Sequence, residues 1–222
     1  MISIALDGPA GAGKSTVAKG AAKALGFIYV DTGALYRTVG LKFLRDGYDT
    51  ELNCDIDAVL KTIEVDIKFI DGTQHVFLNG EDVSDKIRTP EASMMASAVS
   101  AKPPVRAFLL EMQRKLAREN NVLMDGRDIA TVVLPNATLK FFVTASVSER
   151  ADRRYKELLE KGMDVNYDDI YKDIETRDYN DSHREIAPLR PAEDSIIFDT
   201  TGNTLEESID KLLAIIEERL GK

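Results

Sequence analysis

The stretch Gly8-Pro9-Ala10-Gly11-Ala12-Gly13-Lys14-Ser15-Thr16 governs how the rest of the chain is read. It fits G-x-x-x-x-G-K-[ST], the pattern of a loop that cradles phosphates. Before it, Ile2-Ser3-Ile4-Ala5-Leu6 is a short apolar run of the buried-strand type. After it, Val17, Ala18, Ala21, Ala22 and Leu25 recur at helical spacing. Glycines allow the tight strand-to-helix turn, so that backbone N–H groups converge on an anion at the helix N-terminus. Lys14 is then expected to reach the β/γ-phosphates of ATP, and the Ser15 hydroxyl to hold Mg²⁺. With both flanks in place, a glycine-rich turn without a ligand is the weaker reading.

Composition narrows the class. A chain of 222 residues is enough for one α/β core with an insertion or mobile subdomains. An apolar fraction of 44% with 30% charged residues is that of a globular protein, not a disordered one. No apolar run approaches the roughly 18 residues that cross a membrane, and the chain starts without a basic leader or cleavage pattern. The single cysteine, Cys54, cannot form an internal disulfide and has no histidine nearby, so it reads as an incidental thiol in a reducing cytoplasm. A net charge of −9 argues against a nucleic-acid polymer as partner. Any polyanionic ligand must be met by local concentrations of Arg and Lys.

Those concentrations emerge along the chain. Gly26–Asp31 is a second strand closed by an acid, and Thr32-Gly33-Ala34-Leu35-Tyr36-Arg37 opens a helix that Asp31 or Thr32 can cap. Arg37 lies one turn in, on the side where strand ends meet loops and ligands bind. Val65–Phe69 and Val76–Leu78, joined by Asp71-Gly72, form an antiparallel meander that must pack on something. Thr89 caps a helix with Pro90 at its first position, and a longer helix after Pro103-Pro104 carries Arg106 in its first turn. Asn121–Met124 is the third core strand, ending in Asp125-Gly126-Arg127-Asp128, where Asp125 takes the place of a second, Mg²⁺-facing acid.

Leu139–Thr144 is the fourth strand. The helix that follows puts Arg150, Arg153 and Arg154 on one face, either a triphosphate clamp or a solvated, carboxylate-paired face. Lys161–Val165 breaks that helix and gives an arm that could hinge. A second polar helix from Tyr167 carries Arg177, Asp181 and Arg184 on one face, while His75 and His183 have no metal partner nearby. Ser195–Asp199 is the fifth strand, and Leu205, Ile209, Leu212, Leu213, Ile216 and Leu220 stripe the last helix. The expectation is a three-layer α/β P-loop fold with a five-stranded parallel sheet. Residues 1–62, 90–145 and 190–222 form its core, 63–89 a small antiparallel insert, and about 146–189 a helical lid, all within one domain.

Taken together and in this order, GPAGAGKST, DTGALYR, DGRD and RDYNDSHR resemble the bacterial cytidylate kinases, and the resemblance runs essentially end to end. It implies a nucleoside monophosphate kinase that transfers the γ-phosphoryl group of ATP to CMP or dCMP, with Mg²⁺. It places the ATP loop on Gly8, Pro9, Ala10, Gly11, Ala12, Gly13, Lys14, Ser15 and Thr16, and the metal on Ser15 with Asp125. Acceptor-phosphate contacts fall on Thr32, Arg37 and Arg127, the base pocket on Ser97, Arg106, Asp128 and Arg184, and sugar contacts on Arg177 and Asp181. Some members carry Ser where this chain has Thr32, which keeps the hydroxyl. The catalytic set becomes Lys14, Arg127 and the lid arginines Arg150 and Arg154, with Arg153 beside them. The implied enzyme is a cytoplasmic monomer acting on small molecules, with neither nucleic acid nor membrane as partner.

The chemistry of the residues agrees. Cytosine offers an N4–H₂ donor to a carboxylate, and N3 and O2 acceptors to arginine, which Asp128 with Arg106 and Arg184 would complement. Uracil would place an acceptor against the carboxylate and leave buried groups unpaired. The acceptor phosphate is already anionic, so no general base is needed and catalysis reduces to positioning and charge neutralisation. The alternatives are a P-loop kinase for AMP, UMP or shikimate, and an ATP-hydrolysing regulatory or RNA-associated protein. The acidic net charge and the lack of tryptophan weigh against the last.

Overall fold

A computed structural model describes residues 1–160 and 162–221; Lys161, in the expected helix break, and Lys222 lie outside the described residues. Strand β1 (Ser3–Asp7) leads through the glycine-rich loop into α1 (Lys14–Leu25), and β2 (Ile28–Asp31) leads directly into α2 (Thr32–Arg45). After a short α3 (Ile56–Leu60) come β3 (Val65–Ile70), β4 (Thr73–Leu78) and β5 (Glu81–Asp82). Helices α4 (Pro90–Ser100) and α5 (Pro103–Glu119) return the chain to β6 (Val122–Gly126), a π-helical turn at Ile129–Val133, and β7 (Leu139–Thr144). Helices α6 (Val147–Glu160) and α7 (Tyr167–His183) precede β8 (Ile196–Asp199) and α8 (Leu205–Leu220).

Five strands make one parallel sheet in the order β2-β6-β1-β7-β8. Because β1 is central, with β6 and β2 on one side and β7 and β8 on the other, the crevice for ligands opens at its C-terminal end. The sheet is covered on both faces, as parallel sheets must be. Ile4, Leu6 and Phe141 pack with Val17 and Ala21 of α1 and Leu212 and Ile216 of α8. On the other face Ala5, Val30 and Met124 pack with Ala117 of α5 and with Ile129 and Val133 of the π-turn.

The insert is an antiparallel three-stranded sheet, β3-β4-β5, one short strand more than the meander expected from the sequence. Its Val65, Val76 and Leu78 share a buried cluster with Leu35, Val39 and Phe43 of α2 and Met95 and Val99 of α4. Gln74 fastens its β4 strand to the end of β2: the Asp31 N–H donates to Gln74 Oε1 at 2.8 Å, and Gln74 Nε2 donates to the Asp31 carbonyl at 3.1 Å. Helices α6 and α7 bury Ala151, Leu158, Ile170 and Ile174 against each other, with Tyr155 and Tyr167 edge to face at 5.7 Å. The arm therefore has a small apolar core of its own.

Candidate active site

At the C-terminal ends of the parallel strands lies a cavity of about 560 Å³. Among the described residues nine Lys and Arg side chains and five Asp and Glu side chains line it, an excess of four positive charges on a chain of net −9. Such a concave excess focuses potential on an anionic ligand.

The glycine-rich loop forms one end. Ala10, Gly11, Gly13, Lys14, Ser15 and Thr16 face the cavity, while Gly8, Pro9 and Ala12 are buried behind it. At Gly8, with φ +148°, a Cβ would sit 2.0 Å from the Val143 carbonyl oxygen of β7, so only glycine lets the chain leave β1 this close to its neighbour. Helices α2, α3, α4, α7 and α8 each have a side chain on their first-turn amides; α1, behind Gly13 at φ 77°, has none and no acid in its first turn. Its amides and positive dipole end are left for a ligand. Lys14 is buried with its Nζ donating to the Pro9 carbonyl at 2.7 Å. Burial first, and the nearby Arg127 second, pull its ammonium down to about 7, a cost that a bound polyanion would reverse.

Carboxylates close three neighbouring strands. Asp31 of β2 and Asp125 of β6 are register partners, whereas Asp7 of β1 pairs with Gly126, one residue further on. Alternation puts Asp31 and Asp125 on one face and Asp7 on the other. Asp125 accepts from Ser15 Oγ at 2.7 Å and from the Tyr29 hydroxyl at 3.0 Å; burial and the Asp31 charge push its carboxyl up to about 6. Asp31 caps α2 through the Ala34 N–H at 2.9 Å and holds Arg37 at 2.8 Å, so of the two capping candidates it is Asp31 that caps. The Thr32 hydroxyl donates instead to the Asp125 carbonyl at 2.7 Å.

At the far end Asp128 is buried between two arginines. Arg106 Nη2 hydrogen-bonds one carboxylate oxygen and Arg184 Nη2 stands 3.5 Å from the other. Burial raises the Asp128 carboxyl and lowers the Arg184 guanidinium. Arg184 is held by the Ala187 carbonyl at 2.7 Å, Arg106 by the Ser100 carbonyl at 3.2 Å and by the Tyr36 ring, 5.7 Å from its guanidinium carbon. Ser97 lines the same wall.

Between the two ends stand cations. Arg127 Nε donates to Asp181 Oδ2 at 2.8 Å. Among the described residues the buried Nε of Arg177 has no hydrogen-bond partner; burial, and then Arg127, lower its guanidinium to about 10. The three arginines of α6 separate: Arg150 reaches the Ala10 carbonyl at 3.0 Å and Asp178 at 2.6 Å, and Arg153 turns to the Thr200 carbonyl at 2.8 Å. Arg154 stays half-exposed beside Glu157 at 2.9 Å. All three still line the cavity.

Every side chain singled out in the sequence for acceptor binding lies in this cavity wall. Asp7, Tyr36, Ser100 and Asp178 escaped notice. Asp7 and Asp178 sit in acidic or strand-end positions with no local pattern, and their partners are distant in sequence. Tyr36 directly precedes Arg37, the only signal that could have drawn attention to it.

The cytidylate kinase family model matches residues 4–218. The chain is 52% identical over 214 residues to the cytidylate kinase of Caldicellulosiruptor bescii, covering 96% of this chain and 95% of that one. It is 47% identical over 221 residues to the cytidylate kinase of Bacillus cytotoxicus, covering 100% and 98%. A solved structure of an uncharacterized protein from Eubacterium ventriosum is 12% identical, with a TM-score of 0.54 over 98% of this chain and 99% of that one, and shares the fold. A glycine-loop cavity with a buried Arg–Asp–Arg cluster at its far end, in a chain that matches this family from end to end, makes the protein a member of the cytidylate kinase family.

Proposed function

We infer that this member of the cytidylate kinase family transfers the γ-phosphoryl group of ATP to the phosphate of CMP or dCMP, releasing ADP and CDP or dCDP. The observation that carries the acceptor assignment is Asp128, buried between Arg106 and Arg184 in the same cavity as Lys14. Its carboxylate suits the cytosine N4–H₂ group, and the two guanidinium groups suit N3 and O2. Ser97 completes that pocket. Arg37, Arg127 and the Thr32 hydroxyl, exchanging the Asp125 carbonyl for a phosphate oxygen, donate to the acceptor phosphate, and Arg177 with Asp181 takes the sugar. The loop Gly8–Thr16 takes the ATP phosphates on the free amides of α1.

In the transfer step an acceptor phosphate oxygen forms a bond to the γ-phosphorus while the bond to the β,γ-bridging oxygen breaks and its electron pair leaves with ADP. The nucleophile is anionic before it attacks, so no residue need remove a proton. Lys14, Arg127, Arg150 and Arg154 neutralise the equatorial and leaving oxygens as charge moves between them. For Arg150 this means exchanging the Ala10 carbonyl for a phosphate oxygen, which is a stronger acceptor.

Ser15 Oγ and the Asp125 carboxylate, 2.7 Å apart at the loop, are an all-oxygen donor pair of the hard type that suits Mg²⁺, which keeps most of its shell as water and phosphate oxygens. Mg²⁺ held there would supply further neutralisation of the ATP phosphates. Helices α6 and α7, joined by their own apolar core, act as the lid, and the β3-β4-β5 insert backs the acceptor side. The enzyme works as a cytoplasmic monomer on small molecules; its net charge of −9 disfavours a nucleic-acid polymer.

A coupled ADP-release assay across CMP, dCMP, UMP and AMP tests this reading. Fast turnover with CMP and dCMP alone is expected. Equal rates with UMP or AMP would remove the cytosine pocket, and ATP binding without acceptor-dependent ADP release would remove the transfer reaction.

A further inference from the structure

We propose that Asp7 is a positioning residue for acceptor recognition: by capping the π-turn that follows Asp128, it frees the Asp128 carboxylate to read the base. Asp7 ends β1 and is 1% exposed. Its Oδ1 accepts the Ile129 N–H at 2.8 Å and its Oδ2 accepts the Ala130 N–H at 2.7 Å, across 122 and 123 residues of sequence. Those amides open the turn whose N-cap position is Asp128.

Aspartate at an N-cap ordinarily turns its own carboxylate back onto such amides. Asp128 makes no capping bond and instead faces Arg106 and Arg184. Of the two amides, that of Ala130 is the one an N-cap carboxylate at Asp128 would reach, and the fold gives it, together with that of Ile129, to Asp7. Gly8, the next residue, begins the phosphate loop with its α-carbon pressed against β7, so the acceptor turn is referenced to the donor loop through one side chain. Asp7 is buried and does not line the cavity. Its charge is balanced from one side by Lys14 and opposed from the other by Asp128, and burial raises its carboxyl to about 7.

Replacing the Asp7 carboxylate by an amide leaves one acceptor oxygen facing two N–H groups, and Asp128, at the N-cap, is the carboxylate that can turn onto the Ala130 amide. Acceptor recognition is then lost through a residue that does not touch the acceptor. The inference rests on the reading that Asp128 recognises cytosine, so its test carries Asp128→Ala as a control.

The experiment compares wild type, Asp7→Asn and Asp128→Ala in steady-state kinetics with CMP and UMP, ATP titrations, and amide hydrogen exchange. In Asp7→Asn the KM for CMP should rise tenfold or more and the CMP-over-UMP preference should fall by a similar factor, with ATP affinity changed less than twofold. In wild type the Ile129 and Ala130 amides should exchange as slowly as those of the core strands, a measurement that stands even if the variant does not fold. Rapid exchange there, or losses in Asp7→Asn shared equally between ATP and CMP with the preference intact, would overturn the proposal. Should Asp128→Ala keep the CMP preference, the base-reading assignment falls, and the positioning role proposed for Asp7 falls with it.

Discussion

Arg127 and Asp181 form an ion pair at 2.8 Å that joins the end of the central sheet to α7 of the arm. With Arg177 close by and its Nε unpartnered, Asp181 is the carboxylate that makes two neighbouring guanidinium groups tolerable before any phosphate arrives.

Asp181→Asn should therefore destabilise the ligand-free protein by roughly 1–3 kcal/mol, the range for a buried charge-assisted bond. Inorganic phosphate or sulfate should recover more melting temperature in the variant than in wild type, because an anion replaces the missing charge. Equal recovery in both, measured by thermal melts with and without phosphate, would mean that the cations are not held by Asp181.

Lys14→Ala should lower turnover by at least about 10²–10³-fold, the loss typical of one electrostatic donor to a transition state. The ligand-free melting temperature should not fall, because the buried ammonium is held near 7 at a cost that alanine does not bear. Calorimetry and the ADP-release assay read the two effects separately.

Asp128→Ala should raise the KM for CMP by on the order of 10²-fold while leaving the KM for ATP nearly unchanged. It should also destabilise the ligand-free protein, since Arg106 and Arg184 lose their common carboxylate. Parallel losses for both substrates would point to general collapse of the cavity instead.

The strand-end carboxylate Asp125 gives a pH signature. Its folded value, about 6, lies above the ordinary 3.8, so between those values the folded state binds more protons than the unfolded one. Stability from this group therefore falls as pH rises from about 4 to 6 and stays low above. The melting temperature of Asp125→Asn relative to wild type should rise over that window and then level off. A difference moving the other way would mean that the carboxyl lies below its usual range. Lys14, lowered from 10.5 to about 7, has the opposite slope, adding stability from pH 7 upward.

What the sequence disclosed and what it withheld divide along range of interaction. The glycine loop, the five strands and the Thr89 cap depend on neighbours within a turn or on simple periodicity, and they were legible, while the cap of α2 stayed open between Asp31 and Thr32. The shared face of Arg150, Arg153 and Arg154 was legible too, but not that the first would be 3% exposed against the loop and the last half in water. That sorting depends on how α6 docks. The two-residue strand Glu81–Asp82 is too short and polar to carry alternation. Asp7 drew no reading at all, because the amides it serves come more than a hundred residues later.

The paired hydrogen bonds between Gln74 and the Asp31 backbone bear on how far this chain can be trimmed. The hairpin that supplies Gln74 also walls the cluster of Leu35, Val39 and Phe43. Excising residues 63–89 to make a minimal phosphotransferase would open that wall to solvent. It would also release the peptide whose side chain anchors Arg37. The meander that the sequence says must pack on something thus supplies an apolar wall and an amide clasp, and shortened designs must replace both.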